Sequence, residues 1–391
     1  MTITKRILSG ILALGIFCSV FGIPVLADGV EEDVVAAQSI GDIPAKSYVL
    51  MEASSGKVLM EQNADEQMPP ASITKIMVML LLMERLEQGT IHMEDMVTTS
   101  EHANSMGGTQ IWLEVGETMS VHDLLKATAV NSANDAAVAL AEYMGGTEEA
   151  FVEQMNQRAK ELGMNNTTFK NATGLDADGH LSTARDVAIM SAELIKHEKI
   201  KEYSSIWMDS LRDGKTGLTN TNKLVRYYEG CNGLKTGTTD GAGSCLSATA
   251  TRNGMTLIAV TMGSATSKER FKSASTLLDY GFASYEVYTP DLSQQEIPEI
   301  PVSNGQQSLV EIELPSTVSM VISKGDQTNI TSEVTIIEDL QAPVKQGQEV
   351  GKIIYYLNSD VLAEYPIYAK NQINQLDFPF VFLKLLLKLI S

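Results

Sequence analysis

Hydrophobic positions recur with different periods along the 391-residue chain, and those periods predict its elements. In "SYVLMEASSGKVLMEQNADEQ" two apolar runs flank Ser54-Ser55-Gly56, the pattern of a β-hairpin. From Ala71 to Leu86 the chain is rich in Met and Leu and has no Gly or Pro, which predicts a largely buried helix. Pro69 and Pro70 end the extended chain ahead of it and leave Ser72 in its first turn. Further helices are predicted at about 121–130, 135–143, 147–162 and 183–196, with Ser120 and Ser182 as caps. From Leu234 the pattern becomes one of strands, "GLKTGTT", "SCLSATATRNG" and "MTLIAVTMG", joined through a "DGAG" turn. An amphipathic helix over about 268–278 closes the region. Hairpin, helical block, hairpins and final helix together predict an α/β fold over residues 43–286, an antiparallel sheet covered by helices with a helical subdomain.

Residues 288–307 hold three Pro and four Gln and read as a linker. Beyond them "LVEIEL", "VSMVI", "EVTII", "KIIYYL" and "LAEYPIY" are short alternating runs, so residues 308–369 predict a small all-β domain with a spacing or docking role. The last sixteen residues, 376–391, include eleven large apolar ones. As a helix from Pro379 they reach ~20 Å at ~1.5 Å per residue. That is short of the ~30 Å hydrocarbon core, so the segment predicts an amphipathic anchor lying in a membrane surface, with Lys384 and Lys388 on one face.

The other end predicts export. Lys5 and Arg6 precede an apolar run from Ile7 to Leu26, and Val25-Leu26-Ala27 places small residues for signal cleavage after Ala27. Phe17 before Cys18 is too bulky for a lipoprotein site. Loss of the two cationic residues deepens the net charge from −20 to −22, which leaves no electrostatic case for nucleic acid. Two cysteines then remain, Cys231 and Cys245, too few for a disulfide scaffold, and their offsets in one hairpin do not set them opposite each other. None of the five His pairs at the i, i+4 spacing of a helical zinc site, and no Gly-rich phosphate loop occurs. Neither a metal nor another cofactor is expected.

Candidate chemistry comes from three short elements in order: Ser72-Ile-Thr-Lys75, Ser132-Ala-Asn134 and Lys235-Thr236-Gly237. Two have duplicates. Ser54–Lys57 repeats the Ser-x-x-Lys spacing, but on a turn, where residues three apart do not stack. On a helix they share a face, so Lys75 can lean toward Ser72. Lys215-Thr216-Gly217 repeats the third element inside "RDGKTGLTN", a glycine-flanked loop, whereas the Lys235 copy leads a strand through Thr238.

Ordered in this way, the three elements resemble the D-alanyl-D-alanine carboxypeptidases, the low-molecular-mass penicillin-binding proteins. "ATGLDADGHLSTARD", "NTNKLV", "NGLKTGTTDGAG" and "TLLDYGF" extend the resemblance over residues 43–282. It implies a penicillin-recognising transpeptidase-like fold and removal of the terminal D-alanine from peptidoglycan stem pentapeptides, with β-lactams as acylating inhibitors. Ser72 would be the nucleophile. Lys75 would be its base once neutral, a state that burial and a nearby charge on Lys235 would favour. The resemblance puts Ser132 on a loop between helices, relaying protons, and gives Asn134 the substrate's backbone amide. The N–H groups of Ser72 and Thr238 would form the oxyanion hole, while Thr236, Thr238 and Arg270 would receive the terminal carboxylate. Where some relatives carry Arg inside "NTN", this chain has Thr221.

Three other functions share this pattern. A class A β-lactamase places a Glu some 35 residues past Ser-x-Asn, but no Glu lies between Glu161 and Glu193, which predicts lasting acylation by penicillin. An endopeptidase cutting peptide cross-links would use the same site and differ in pocket shape. An inert wall-binding relative would have no need of the complete set of three elements.

Overall fold

The computed structural model describes residues 40–315 and 318–390. The signal segment predicted at 1–27 lies outside the described residues. β1 (Ser47–Glu52) and β2 (Val58–Gln62) form the first hairpin. Ala71–Thr74 is a 3-10 turn that runs straight into α1 (Lys75–Glu87), in which every residue from Lys75 to Met83 is buried. β3 (Met96–Thr98), α2 (Glu101–Asn104) and β4 (Thr118–Ser120) make a small ribbon, with the two strands paired. α3 (Val121–Lys126) widens into a π turn at Ala127–Asn131, and α4 (Asn134–Gly145), α5 (Glu148–Glu161), α6 (Ala184–Lys196) and α7 (Lys199–Ser204) follow. Ser120 caps α3 as predicted. The α6 cap is Thr183 rather than Ser182, because Ser182 is bridged to Met68 through its backbone and its hydroxyl meets that of Thr167.

β5 (Met208–Leu211) and β6 (Thr216–Thr219) form a hairpin with Lys215 in its turn, and Thr216 and Gly217 open β6, so the second Lys-Thr-Gly copy also runs into a strand rather than lying wholly in a loop. After α8 (Leu224–Tyr227) come β7 (Cys231–Thr239), β8 (Gly243–Arg252), β9 (Met255–Ser264) and α9 (Ser267–Ser284). One antiparallel sheet runs in the order β2-β1-β9-β8-β7, so strands from both ends of this region close against each other. Helices cover one face, burying Ile76, Leu80, Val138 and Val187 beside Val49 and Val260. α9 covers the other through Ala274, Leu277 and Leu278 on Leu50 and Leu257. Burial on both faces explains why β1 and β9 do not alternate in sequence. α9 runs past its predicted end because Gly281 continues the helix. A Cβ there would lie 2.5 Å from Leu257 Cδ1, so glycine here lets helix and sheet approach.

β10 (Tyr285–Tyr288) pairs with β12 (Met320–Ser323), while β11 (Ile312–Glu313), β13 (Ile330–Ile336), β14 (Glu349–Leu357) and β15 (Asp360–Ala369) form a second sheet ordered β11-β15-β14-β13. The stretch that reads as a linker is more than that. Ile300 and Val302 are buried in one core with Ile353 and Ile367, since the apolar residues of "IPEIPV" find a hydrophobic partner that Pro content alone does not reveal. α10 (Phe378–Ile390) ends the described chain. Among the described residues, no helix is long and apolar enough to cross a membrane. Cys231 and Cys245 are free thiols, opposite Ala250 and Gly237.

Candidate active site

The turn ahead of α1 is strained and heavily supported. Ala71 has φ +49°, a left-handed conformation that costs a residue with a Cβ about 1–2 kcal/mol. Its carbonyl accepts from Thr74 Oγ1 at 2.9 Å, and Thr74 Oγ1 in turn lies 2.9 Å from Nε2 of the buried His180. Lys170 N–H donates to His180 Nδ1 at 3.1 Å, which leaves Nε2 as the ring nitrogen that donates to Thr74. Two glycines let neighbouring segments close on this turn. A Cβ at Gly174 would stand 1.8 Å from Ala71 O, and one at Gly237 would stand 2.9 Å from Ser72 N. The Lys-Thr-Gly strand β7 therefore lies directly against the backbone N–H of Ser72.

Lys75 is fully buried, and its Nζ reaches Ser72 Oγ at 3.0 Å, Asn134 Oδ1 at 2.6 Å and Thr173 O at 2.7 Å. Burial drops the amine from its usual 10.5 to about 7, against the pull of the Asp135 carboxylate. Asp135 is itself fully buried and accepts from the N–H groups of Ile111, Leu113 and Ala136. The other Ser-x-x-Lys spacing holds no such pair, for Ser54 Oγ donates to Glu52 and Lys57 Nζ donates to Val321 O.

Lys235 is also fully buried, with Nζ donating to Thr236 O at 3.0 Å. Burial, then repulsion from Lys75 and from Arg270, pushes it well below the lysine range. This differs from the expectation that a charge on Lys235 lowers Lys75. Burial is the cause at Lys75, and the mutual repulsion falls on Lys235. Ser132 takes a left-handed conformation, φ +65°, where the π turn gives way to α4, between two helices as predicted. Asn134 donates to Gly107 O at 2.6 Å while holding Lys75, so its side chain also belongs to the support of the amine. Thr236 Oγ1 donates to Thr221 Oγ1 at 2.7 Å. Arg270 Nη1 donates to Gly237 O at 2.9 Å and Thr238 Oγ1 at 2.8 Å, while its Nε is buried without a hydrogen-bond partner among the described residues.

Thus Ser72, Lys75 and Asn134 are joined by direct hydrogen bonds, Gly237 abuts Ser72, and Arg270 joins Gly237 to Thr238. Sequence reasoning missed Asp135, Thr173, the His180–Thr74 support and Asp176, whose carboxylate accepts from Thr239 Oγ1 and Gly241 N at the β7–β8 turn. Asp135 directly follows the Ser-x-Asn element, and Thr173 and Asp176 lie in the quoted "ATGLDADGH", so position was their one signal. Among the described residues, no three His, Cys, Asp or Glu side chains gather to hold a metal ion.

A hydroxyl bonded to an amine of depressed basicity, with a strand edge against the hydroxyl's own N–H, is the apparatus of a serine acyl-transfer enzyme. Comparison with known proteins narrows the class. The family model described as D-alanyl-D-alanine carboxypeptidase matches residues 33–266, and that described as penicillin-binding protein 5, C-terminal domain, matches 285–375. The chain is 43% identical over 386 residues to the D-alanyl-D-alanine carboxypeptidase DacF of Bacillus subtilis, covering 97% of each. It is 36% identical over 383 residues to DacC of Escherichia coli, covering 96% of this chain and 94% of that one. Penicillin binding protein 5 from Haemophilus influenzae is a structural neighbour with a TM-score of 0.77 at 35% identity, covering 86% of this chain and 99% of that one. The chain belongs to the D-alanyl-D-alanine carboxypeptidase family, and its activity is that of a serine-type carboxypeptidase.

Proposed function

We propose that this chain removes the terminal D-alanine of peptidoglycan pentapeptides through an ester on Ser72. The observation that carries this reading is the 3.0 Å contact of a fully buried Lys75 Nζ with Ser72 Oγ. When neutral, the amine keeps two N–H donors for Asn134 and Thr173 O and turns its lone pair to the hydroxyl. It takes the proton from Oγ as Oγ bonds to the carbonyl carbon of the penultimate D-alanine. The resulting oxyanion is held by the N–H groups of Ser72 and Thr238. As the C–N bond breaks, Ser132 passes its proton to the leaving amine and takes in its place the proton held by Lys75, which becomes neutral again, and free D-alanine departs. Water then splits the ester and returns the proton to Ser72. Thr236, Thr238 and Arg270 bind the substrate's carboxylate, and Arg270 supplies the cation that Thr221 lacks. Asn134 orients the peptide, and the Lys235 amine donates hydrogen bonds beside the carboxylate.

A penicillin ring presents a carbonyl and a carboxylate in similar relation, so the same serine takes the drug as an ester. In support, penicillin-binding protein D2 of Listeria monocytogenes, 34% identical with a TM-score of 0.56, is a neighbour in its ampicillin-bound form. It covers 61% of this chain and 98% of its own.

The proposed place of action is the outer face of the cytoplasmic membrane, after export by the N-terminal signal. α10 supports peripheral attachment. It is thirteen residues long, with Phe378, Phe382, Leu383, Leu385, Leu387, Leu389 and Ile390 all more than half exposed.

Incubation with a pentapeptide ending in D-Ala-D-Ala tests the activity, with free D-alanine scored beside cleavage of cross-linked dimers. Ser72→Ala is expected to abolish D-alanine release and labelling by a fluorescent penicillin, and Ser54→Ala to leave both intact. Normal labelling of Ser72→Ala would sink the mechanism.

A further inference from the structure

The Lys-Thr-Gly copy at Lys215 takes no part in the proposed chemistry, yet the turn that carries it is built with care. Arg212, Asp213 and Gly214 are successively left-handed, with φ of +52°, +54° and +87°. All five N–H donors of the Arg212 guanidinium are used. Nε and Nη2 fork onto Glu117 at 2.7 and 3.0 Å, Nη1 reaches Ile111 O at 2.8 Å and Thr216 Oγ1 at 2.9 Å, and Nη2 reaches Trp112 O at 3.4 Å. A planar fork with every donor engaged fixes both partners.

What it fixes is the outer side of loop 107–113. The inner side of that loop grips the start of α4. Gly107 O accepts from Asn134 Nδ2, Thr109 O accepts from Asn134 N at 2.7 Å, and Ile111 N and Leu113 N donate to Asp135. Ile111 is thus bonded on both sides, through its carbonyl to Arg212 and through its N–H to Asp135. Between the two amides that hold Asp135, Trp112 has φ +58° and is 74% exposed. A bulky residue pays for that conformation, so the loop is sprung and stays closed because it is held from both sides.

We propose that Arg212 is a positioning residue for Lys75, acting through loop 107–113 to keep Asn134 and Asp135 in place and water away from the amine. This rests on the proposed role of Lys75 as the base. The titratable groups facing Lys75 are Asp135 from α4 and Lys235 from β7, with Arg270 of α9 reaching Lys235. Burial lowers the amine's basicity and Asp135 raises it, burial being the larger cause. A loosened loop weakens both, and wetting wins.

The test is the second-order rate of acylation of the full chain by a fluorescent penicillin, measured from pH 5.5 to 9.5. Arg212→Ala is expected to move the acid limb up by about one unit, with a loss of about fivefold at pH 7 that is recovered above pH 9. Arg212→Lys, which keeps the charge without the fork, falls between it and wild type. Lys215→Ala, on the same turn, follows wild type. If Arg212→Ala does not fold, Glu117→Gln is measured instead and shows a smaller shift in the same direction. An unmoved acid limb overturns the inference, whether the rate is unchanged or falls equally at every pH. Failure of wild type to label at all would instead overturn the acyl-enzyme reading on which the inference rests.

Discussion

Asn134 Oδ1 accepts a 2.6 Å hydrogen bond from Lys75 Nζ. An amide oxygen carries no charge, so it orders the amine with little resistance to deprotonation. Asn134→Asp keeps the shape and sets a carboxylate on the amine, favouring its charged form. Acylation by penicillin at pH 7 is expected to fall at least about a hundredfold. The loss should shrink as the pH rises toward 9, in a stopped-flow series across pH. A loss of the same factor at all pH values would show that Asn134 acts on the substrate alone.

The two Lys-Thr-Gly copies separate by burial. Lys235 is wholly enclosed beside Lys75, whereas Lys215 is exposed on a turn. Lys235→Ala is expected to lower kcat/KM for a D-Ala-D-Ala peptide by at least about a hundredfold. Lys215→Ala should stay within about 0.5 kcal/mol of wild type in stability, as most surface changes do. Equal losses of kcat/KM in both variants would refute the assignment.

His180 links the fold's pH tolerance to the Ser72 turn. Its ring is 2% exposed, with Nδ1 accepting from Lys170 N–H and Nε2 on Thr74. Burial drops it from 6.5 to about 4, Lys170 adding to the drop and Asp176 opposing it. The unfolded chain binds this proton more readily than the folded one, so the stability involved is complete above pH 6.5 and is lost as pH falls toward 4. The loss comes to about 3 kcal/mol at ~1.4 kcal/mol per unit. His180→Gln, which keeps a donor and an acceptor without the titration, should flatten the urea midpoint between pH 6.5 and 4. Parallel curves for the two proteins would assign the acid sensitivity elsewhere.

How much could be read in advance follows from the range of each interaction. Ser72 and Lys75 meet through one helical turn, so spacing and the Pro69-Pro70 break were sufficient to pair them. The sheet was also legible, because β1 and β9 are largely apolar runs and turn residues mark off the strands on either side. Partners far along the chain left no such trace. Thr173 O lies 98 residues from the amine it supports and His180 lies 106 from Thr74, and neither has a local period to announce it. The stretch 288–307 misled for a related reason. Its Pro and Gln content signals loop chemistry, while the burial of Ile300 and Val302 depends on a sheet built from residues after it. At Lys235 the two lysines were foreseen as neighbours. Which of them yields to the other depends on how dry each is and on Arg270, and no motif encodes that.

α10 presents a broad apolar surface to solvent. Its thirteen residues carry apolar side chains around most of the helix, Leu389 at 87% and Ile390 at 76% exposure, with Lys384 interrupting them. So much exposed apolar surface at one end of a strongly acidic chain calls for a cover, and a membrane surface is the one proposed. Each lysine contributes only ~1 kcal/mol of attraction to anionic lipid, and the body of the protein is repelled. Burial of side chains, at about 25 cal/mol per Å² of apolar area, must therefore dominate. Binding to vesicles should then persist at high salt, unlike binding through charge alone. Truncation after Gln375 removes the helix and none of the residues proposed for chemistry. It is expected to leave turnover of a small D-Ala-D-Ala peptide within about twofold of the full chain, while flotation with lipid vesicles is lost. A truncated protein that still floats with vesicles would move the anchor to another part of the chain, and a full-length chain released by 1 M salt would make the attachment electrostatic.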